Sequence, residues 1–427
     1  MIAQNNPAFI KRISPNRVIL VAFVIWVLLF LISPLKVNIE LDVYAYVFIF
    51  LSFLSFFLGG SLYKSKQNNR KIFLQRKVQA ANINSKFKLI FIIACIGLLL
   101  KLLDRFILRG ISLEANFDEN REVMVAAGGN PIGILASFLA PFCYFPLFIF
   151  YKYKLPINRF MKFLVYFLFF GQLFDSILLS SRSAIFVNIV FLLLYLFYFK
   201  VIKLTRKRII WGIVLALIFT IVMGYVYIQR TTVFAGDDAY ELILYTSNFN
   251  FTITSTSAFL SFFHSLPLFY KGLAVIYVTT IQYFVHGMFE FSYAFQHFNA
   301  YNHSFGKYTF ITFYRFWTIL SGSPFDASAI TNLSPRIGVY TTLFGPFFID
   351  FGWFNLIFML FLGYIIKSLY YKAIAGKDWA ILMYFYVFIV LAFWPVFNFV
   401  NGAGGVFIFT SIIIYYIIEP KTKIYEA

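Results

Sequence analysis

Side chains able to transfer protons are concentrated in one long segment, residues 229–343. All four histidines of the chain lie there, and His286 stands four positions before Glu290, on the same face if the segment is helical. A general base needs a pKa near ambient pH and must reach the hydroxyl that it deprotonates, and histidine meets the first condition unaided. We therefore take His286, Glu290, His303 and the nearby Asp350 as candidate catalytic residues.

Arginines beside the apolar runs of the chain are candidates for binding an anion. A guanidinium group stays charged at any working pH and pairs bidentately with phosphate oxygens. Snorkelling at a membrane interface, with pairing to loop acids, is the competing explanation. The candidates are Arg182, Arg230, Arg315 and Arg336.

Charged residues also fall inside apolar runs, where they are costly and by default suggest function. Lys101, Asp104 and Arg105 lie in one run and Asp175 in another. Lys101 and Asp104 are one turn apart, which favours a mutually neutralising pair. Asp175 is predicted to support Arg105 or Arg182, and structural bundling of the helices explains these residues as well as catalysis does.

Metal and cofactor chemistry finds little support in the sequence. His286 and Glu290 resemble half of a metal site, but no third ligand follows at a useful spacing. The two cysteines, Cys95 and Cys143, both lie in apolar runs and are expected to be small core residues rather than a disulfide. We expect neither a metal ion nor another cofactor.

Composition places these residues in a membrane protein. The 427 residues are 61% hydrophobic and only 12% charged, with 60 Phe and 29 Tyr, and the mean hydropathy is +0.81. A soluble chain carries about 25% charged residues. This excess of apolar surface excludes a soluble enzyme, a nucleic-acid-binding domain and a disordered chain. It predicts a single, all-α polytopic integral membrane domain over residues 1–427.

Apolar runs long enough to cross about 30 Å of hydrocarbon define the predicted spans. We expect ten, at residues 18–35, 41–63, 89–108, 131–151, 163–179, 184–199, 209–228, 344–366, 379–396 and 405–418.

Lysine and arginine predict the orientation of these spans. The termini, the 64–88 loop and the other loops of the same side hold 25 of the 36 basic residues and only three acids. This side is therefore predicted to be cytoplasmic, with both termini, while the 109–130 loop and the 229–343 segment lie outside. The net charge of +19 is then an orientation signal with attraction to anionic lipids, and nucleic acid is not an expected partner.

The 229–343 segment is too long for a simple connector and unusually apolar. Residues 260–268 and 273–295 are rich in Phe, Tyr, Ile and Val but are interrupted by polar side chains every few residues. We favour helices that rest in the membrane interface or re-enter it. Two further spans, giving twelve, are the alternative.

Short motifs in this region resemble a known family. The stretches 306–310 (GKYTF), 338–342 (GVYTT) and 350–354 (DFGWF) resemble those of bacterial oligosaccharide repeat-unit polymerases, the O-antigen or capsule polymerases of the Wzy type. The stretches 286–290 (HGMFE) and 181–183 (SRS) fit the same pattern, and the layout of spans and outer loop is similar. The chain departs from some members because the arginine-x(10)-glycine spacing is absent: Gly345, for instance, lies nine positions after Arg336.

The resemblance implies a GT-C-like helical transferase in the bacterial plasma membrane. Such proteins transfer a growing glycan from undecaprenyl diphosphate to a new lipid-linked repeat unit on the outer face, without a metal ion. For such a reaction we hypothesise that Arg182, Arg230 and Arg336 bind the diphosphate, that His286 or Glu290 deprotonates the acceptor hydroxyl, and that Asp350 orients a sugar or an arginine. Tyr340 offers a stacking face, and a chain-length regulator and a flippase of the same pathway are the implied partners.

Two other functions remain open from the sequence. An O-antigen ligase is also a polytopic transferase that acts on lipid-linked glycan and has a large outer loop. A lipid-linked oligosaccharide flippase or other transporter is the non-enzymatic alternative, although the concentration of His and Arg in one outer segment counts against it.

Overall fold

The structure is a computed structural model, and it describes only part of the chain. The described residues are 6–64, 80–112, 130–178, 182–202, 205–208, 238–401 and 403–419, with Val123 and scattered positions between 210 and 228.

The described chain is almost entirely helical. In chain order its elements are α1 (Pro7–Arg12), α2 (Pro15–Leu31), β1 (Leu35–Val37), α3 (Val43–Leu62), α4 (Ala80–Leu102, continued by a π-helical turn, Leu103–Leu108), α5 (Pro131–Leu139), α6 (Phe145–Tyr153), α7 (Arg159–Leu178), α8 (Arg182–Tyr198), α9 (Ala239–Thr246), β2 (Ile253–Ser255), α10 (Ser257–Ser265), α11 (Leu268–His297), α12 (Ile311–Ser321), α13 (Ala327–Thr331), α14 (Phe344–Phe351), α15 (Asn355–Ile374), α16 (Asp378–Ala392) and α17 (Ala403–Ile418). Single 3-10 turns lie at Ala140–Tyr144, Asn248–Phe251, Ala300–Asn302 and Gly352–Phe354.

Helix length and composition support an all-α membrane protein. Five helical segments among the described residues are long and apolar enough to cross a membrane: Val43–Leu62, Pro131–Tyr153, Arg159–Ile177, Leu268–His297 and Phe344–Ile374. Shorter apolar helices are Pro15–Leu31, Ala184–Tyr198, Asp378–Ala392 and Gly404–Ile418. The ten-span layout, the orientation and the GT-C-like architecture stay predictions.

Helix α11 lies across one end of the bundle. Its Tyr277 hydroxyl donates to the Ile32 carbonyl just after α2, and its Ser292 hydroxyl accepts from the Asp42 amide just before α3. These two residues of α11 are about 22 Å apart along its axis. Both lie where α2 ends and α3 begins. The membrane-resting interpretation of α11 stays a prediction, since the helix is also long and apolar enough to cross a membrane.

A two-stranded antiparallel ribbon connects this end of the bundle to the segment before α11. Strand β1 links α2 to α3, and it pairs with β2 in the register Leu35↔Ser255 and Val37↔Ile253. Thus a chain predicted as all-α contains a small ribbon. The ribbon fixes residues 253–255, and with them the preceding 3-10 turn, above α2 and α3.

The predicted span 344–366 is broken in the structure. Helix α14 ends at Phe351, and Gly352 adopts φ +51 before α15 begins. A Cβ at this position would also lie 2.6 Å from Nε2 of His303, so only glycine fits the turn. Phe344–Ile374 as a whole is still long and apolar enough to cross a membrane, but its helix is interrupted at Gly352, and Asp350 belongs to the short helix α14.

Helices α3 and α15 approach each other through glycine. A Cβ on Gly59 would lie 1.8 Å from the Leu360 carbonyl oxygen, and one on Gly363 would lie 1.9 Å from that of Phe56. Small residues that permit backbone approach are typical of helix contacts in membranes.

We expect Gly59→Ala to destabilise the protein, because its new methyl group meets backbone that no rotamer change can move. Overpacking of this kind costs about 1–3 kcal/mol, and thermal unfolding of the purified protein in detergent measures it. Gly60→Ala is the matched control, since its Cβ would meet the Gly363 oxygen at an ordinary 3.7 Å. Equal melting temperatures for the two variants would contradict the close contact.

Candidate functional site

One face of α11 carries the polar side chains of the site. The helix follows Pro267 and contains no proline, and its four-residue spacing aligns Gln282, His286 and Glu290. All three are buried. The Gln282 amide donates to the Asn250 side chain at 2.8 Å and to the Ile253 carbonyl at 2.9 Å, which holds the 248–253 segment against this face.

Only one of the two ring nitrogens of His286 makes a hydrogen bond to the described residues. Its side chain is fully buried, and Nδ1 lies 3.0 Å from the Gln282 carbonyl oxygen. A carbonyl only accepts, so Nδ1 carries the proton and Nε2 holds a lone pair. Nε2 has no hydrogen-bond partner among the described residues. A buried polar atom without a partner is costly, and this atom is placed to accept a proton.

Glu290 and Arg336 form an ion pair one turn further along. Oε2 of the fully buried Glu290 lies 3.3 Å from Nε of Arg336, and Oε1 accepts from the Thr252 hydroxyl at 2.7 Å. The Arg336 side chain is 17% exposed, so part of it reaches the surface. Glu290 therefore orients Arg336: Oε1 is hydrogen-bonded to Thr252, while Oε2 faces the guanidinium in the ion pair without a hydrogen bond.

The 3-10 turn Asn248–Phe251 covers these residues. The Phe249 ring stacks on His286 with ring centres 3.8 Å apart. Arg336 holds the turn in place, because Nη2 donates to the Asn248 carbonyl and the guanidinium carbon lies 4.1 Å from the centre of the Phe251 ring. Arg336, which can bind an anion, thus also holds in place the turn that covers His286, which can accept a proton.

Tyr340 forms the open side of the same site. Its ring centre lies 5.8 Å from that of His286, 5.7 Å from Tyr283 and 5.1 Å from Phe397, and the side chain is 40% exposed. Half-exposed aromatic faces of this kind suit stacking on an apolar ring face. The structure therefore brings together four predicted residues, His286, Glu290, Arg336 and Tyr340.

Asp350 does not join this site. Its carboxylate accepts from the Ser304 hydroxyl and from the backbone amides of Tyr308 at 3.0 Å and Thr309 at 2.8 Å. Burial raises the pKa of Tyr308, and the nearby charge of Asp350 adds to the rise. In the structure Asp350 fastens the 304–309 loop, whereas the sequence assigned it to a sugar or an arginine.

His303 and Arg315 also lie apart from His286. Nδ1 of His303 is 3.1 Å from the Ile349 carbonyl oxygen, and the ring lines a shallow, mostly polar cavity of about 360 Å³ with Lys307 and Asp326. Arg315 is exposed on α12, with its guanidinium carbon 5.6 Å from the centre of the Phe325 ring.

A second cluster of buried charge joins α4 to α7. Asp175 pairs with Lys101 at 2.8 Å and with Arg105 at 3.0 Å, which agrees with the predicted support of Arg105. The predicted pair between Lys101 and Asp104 is not formed. Asp104 pairs with Arg105 and Arg109 instead. The π-helical turn holds Asp104, Arg105 and the last residues before Arg109.

Two predicted diphosphate ligands cannot be placed. Arg230 lies outside the described residues, and of Arg182 only the backbone at the start of α8 is described.

Sequence reasoning missed the residues that shape the site from a distance. Thr252, Asn248 and Phe249 come from the 3-10 turn and its end, and nothing in the sequence distinguishes this phenylalanine from the 59 others. Gln282 carried a weak signal, since it interrupts an apolar run one turn before His286.

The described chain is thus an all-α membrane protein with a covered histidine, a glutamate–arginine pair and aromatic rings at one end of its helix bundle. Comparison with protein-family models, with curated proteins and with solved structures finds no match for the chain.

Proposed function

We propose that the protein polymerises oligosaccharide repeat units carried on undecaprenyl diphosphate, at the outer face of the bacterial plasma membrane. The observation that carries the proposal is the unpartnered Nε2 of His286 one helical turn from the Glu290–Arg336 pair. A proton acceptor and an anion-binding group in one site are what glycosyl transfer from a diphosphate requires.

The reaction breaks and forms one bond at the anomeric carbon of the donor. The acceptor hydroxyl attacks this carbon, its proton passes to Nε2 of His286, and the bond to the diphosphate oxygen breaks. The leaving diphosphate keeps the electron pair, and Arg336 stabilises its charge. His286 is the better candidate base of the two suggested by the sequence, because the oxygens of Glu290 already face Thr252 and Arg336.

Access to His286 is coupled to anion binding in this proposal. A diphosphate that draws the Arg336 guanidinium away from the Asn248 carbonyl frees the turn that carries Phe249. The ring then moves off His286, and the acceptor hydroxyl reaches Nε2. The half-exposed ring of Tyr340 can hold the acceptor sugar, and bringing two lipid-tethered reactants together supplies much of the rate.

A strain that lacks the gene tests the proposal. We expect the ladder of surface polysaccharide on a glycan gel to collapse to a single repeat unit on its anchor, because export and ligation continue while polymerisation stops. The gene supplied in trans should restore the ladder. Loss of all anchored polysaccharide would contradict the proposal and indicate a ligase if long chains accumulate on the lipid carrier, or a flippase if single units do.

A further inference from the structure

The cavity beside His303 lies beyond the C-terminal end of α11. It is shallow and mostly polar, and its volume of about 360 Å³ is in the lower part of the range of about 300–1,000 Å³ that small-molecule sites occupy. The His303 ring centre lies 5.1 Å from that of Phe298, which directly follows α11. His286 stands eleven positions before the end of this helix, about 17 Å along its axis. The cavity is therefore separate from the His286 site.

Two of the motif stretches, 306–310 and 350–354, meet at this cavity. Lys307 of the first stretch lines it, and Asp350 of the second holds the 304–309 loop that forms one wall. The Asp350 carboxylate accepts three hydrogen bonds from this loop, and its backbone carbonyl accepts a fourth from the Phe305 amide at 3.1 Å. The wall is thus fixed before any ligand arrives.

The same loop keeps a strained backbone. Phe305 adopts φ +51, in the left-handed region that disfavours bulky side chains, and its side chain is 80% exposed. Strain of this kind persists where the surrounding structure imposes it, and it is concentrated at functional sites. An exposed ring gains little from packing, so ligand binding explains the conformation of this loop better than stability does.

The side chains that line the cavity carry charges of both signs. The Lys307 ammonium lies 5.3 Å from the centre of the Tyr314 ring. Oδ1 of Asp326 accepts from the Ser328 amide at 2.9 Å and from its hydroxyl at 2.6 Å, whereas Oδ2 makes no hydrogen bond to the described residues. In the described part of the chain no ion pair joins Lys307 to Asp326. A cation and an anion are therefore both available to one ligand.

A ligand with several hydroxyl groups matches this lining. Each hydroxyl both donates and accepts, so one molecule can bind the Lys307 ammonium, the Asp326 carboxylate and the Asn302 amide. A phosphate would instead face the carboxylate, and a cationic ligand would face the ammonium. Tyr314 and Ile330 add apolar surface for the C–H face of a sugar ring.

We propose that this cavity binds one uncharged sugar ring of the glycan, away from the bond that forms at His286. This inference rests on the proposed function, which brings a glycan to this part of the protein. Because His286 lies about 17 Å from this end of α11, the bound ring is a different unit of the chain from the one that reacts. Holding the chain at a second place orients its reacting end.

Calorimetric titration of the full-length protein tests the assignment. The protein is placed in nanodiscs of phosphatidylethanolamine and phosphatidylglycerol, and the probe is a size-fractionated oligosaccharide released by partial acid hydrolysis from the surface polysaccharide of the strain that carries the gene. Lys307→Gln and Asp326→Asn should each weaken binding about ten-fold, because each removes a hydrogen bond to a charged group. Asparagine keeps the cap of α13, so the fold is preserved.

Lys271→Gln is the matched control. Its ammonium also lies 5.3 Å from a ring centre, that of Phe263, but Lys271 does not line the cavity. We expect this variant to bind the oligosaccharide as the unchanged protein does. Equal weakening in Lys271→Gln and Lys307→Gln would reduce the effect to net charge and overturn the assignment.

The two cavity variants together distinguish an uncharged ligand from a charged one. Tighter binding in Asp326→Asn with weaker binding in Lys307→Gln would indicate an anionic ligand and overturn the assignment. An effect of only one variant or of neither, or a loss that occurs in Tyr340→Ala instead, would place the sugar elsewhere, and so would the absence of saturable binding. None of these readouts requires polymerisation, so an intact glycan ladder in the deletion strain would refute the proposed function separately.

Discussion

A His286→Gln variant is expected to leave lipid-linked repeat units unpolymerised, with a loss of about 10²–10⁴-fold in rate. Glutamine keeps much of the volume under the Phe249 ring, and its amide can still donate to the Gln282 carbonyl. It offers no basic nitrogen at the position of Nε2. Chain extension by the purified protein on lipid-linked repeat units measures the rate, and the glycan gel reports it in cells.

His297→Gln is a closely matched control for this variant. His297 lies on the same helix, its Nδ1 is 2.9 Å from the carbonyl four residues earlier, and its ring stacks on Tyr293 at 4.0 Å. It therefore repeats the local contacts of His286 on an exposed part of α11. Normal extension by His286→Gln would exclude its role in proton transfer, and equal loss in both variants would indicate damage to the helix instead.

The sequence predicts the helices better than it predicts their pairing. Long apolar runs and charged loops locate α2, α3, α7, α8, α16 and α17 within a few residues, because both signals are local. The break at Gly352 carries no such signal, since residues 344–366 read as one apolar run. The β1–β2 ribbon was also missed, because two three-residue strands far apart in the chain have no periodicity to detect.

In the candidate site, too, the local features were predictable from the sequence and the tertiary contacts were not. The His286–Glu290 spacing is local, and it was predicted together with Arg336 and Tyr340. The Glu290–Arg336 pair spans 46 positions, and the cover by Phe249 depends on a turn held by Gln282 and Arg336. Lys101 shows how tertiary contacts override a local pattern, since Asp175 of α7 is its partner instead of Asp104 one turn away.

The end of the bundle opposite α11 carries a buried ion pair with a second large expected effect. Lys152 pairs with Asp378, their side chains are 2% and 4% exposed, and Lys152 also donates to the Gly376 carbonyl at 2.8 Å. Asp378 further accepts from the Tyr153 and Tyr415 hydroxyls. The sequence treated Lys152 only as one of many basic loop residues.

We expect Lys152→Met to lower the free energy of unfolding by about 3–5 kcal/mol, because it leaves a buried carboxylate without its cation. Chemical denaturation of the purified protein in detergent measures the change. Lys154→Met is the control, since Lys154 is exposed two residues away. A loss below 1 kcal/mol, on the order of a surface pair, would show that the pair is solvated.

The pH dependence of that loss separates a missing charge from missing packing. Glu419 lies beside the pair, where its Oε1 accepts from the Asp378 amide at 2.9 Å. Burial, together with the charge of Asp378, raises the pKa of Glu419 from 4.5 to about 7, while the charge of Lys152 opposes the rise. A carboxyl group whose pKa is raised by folding holds a proton that the unfolded chain has released, so its contribution to stability falls as the pH rises through this range.

Lys152→Met removes the opposing charge, which extends the pH range of this effect upward. The loss of unfolding free energy in Lys152→Met should therefore be larger at about pH 8 than at about pH 5.5. Adding Glu419→Gln should reduce this difference, because it removes one of the two carboxyl groups that face Lys152, whereas a deficit that is the same at both pH values would assign the whole effect to packing.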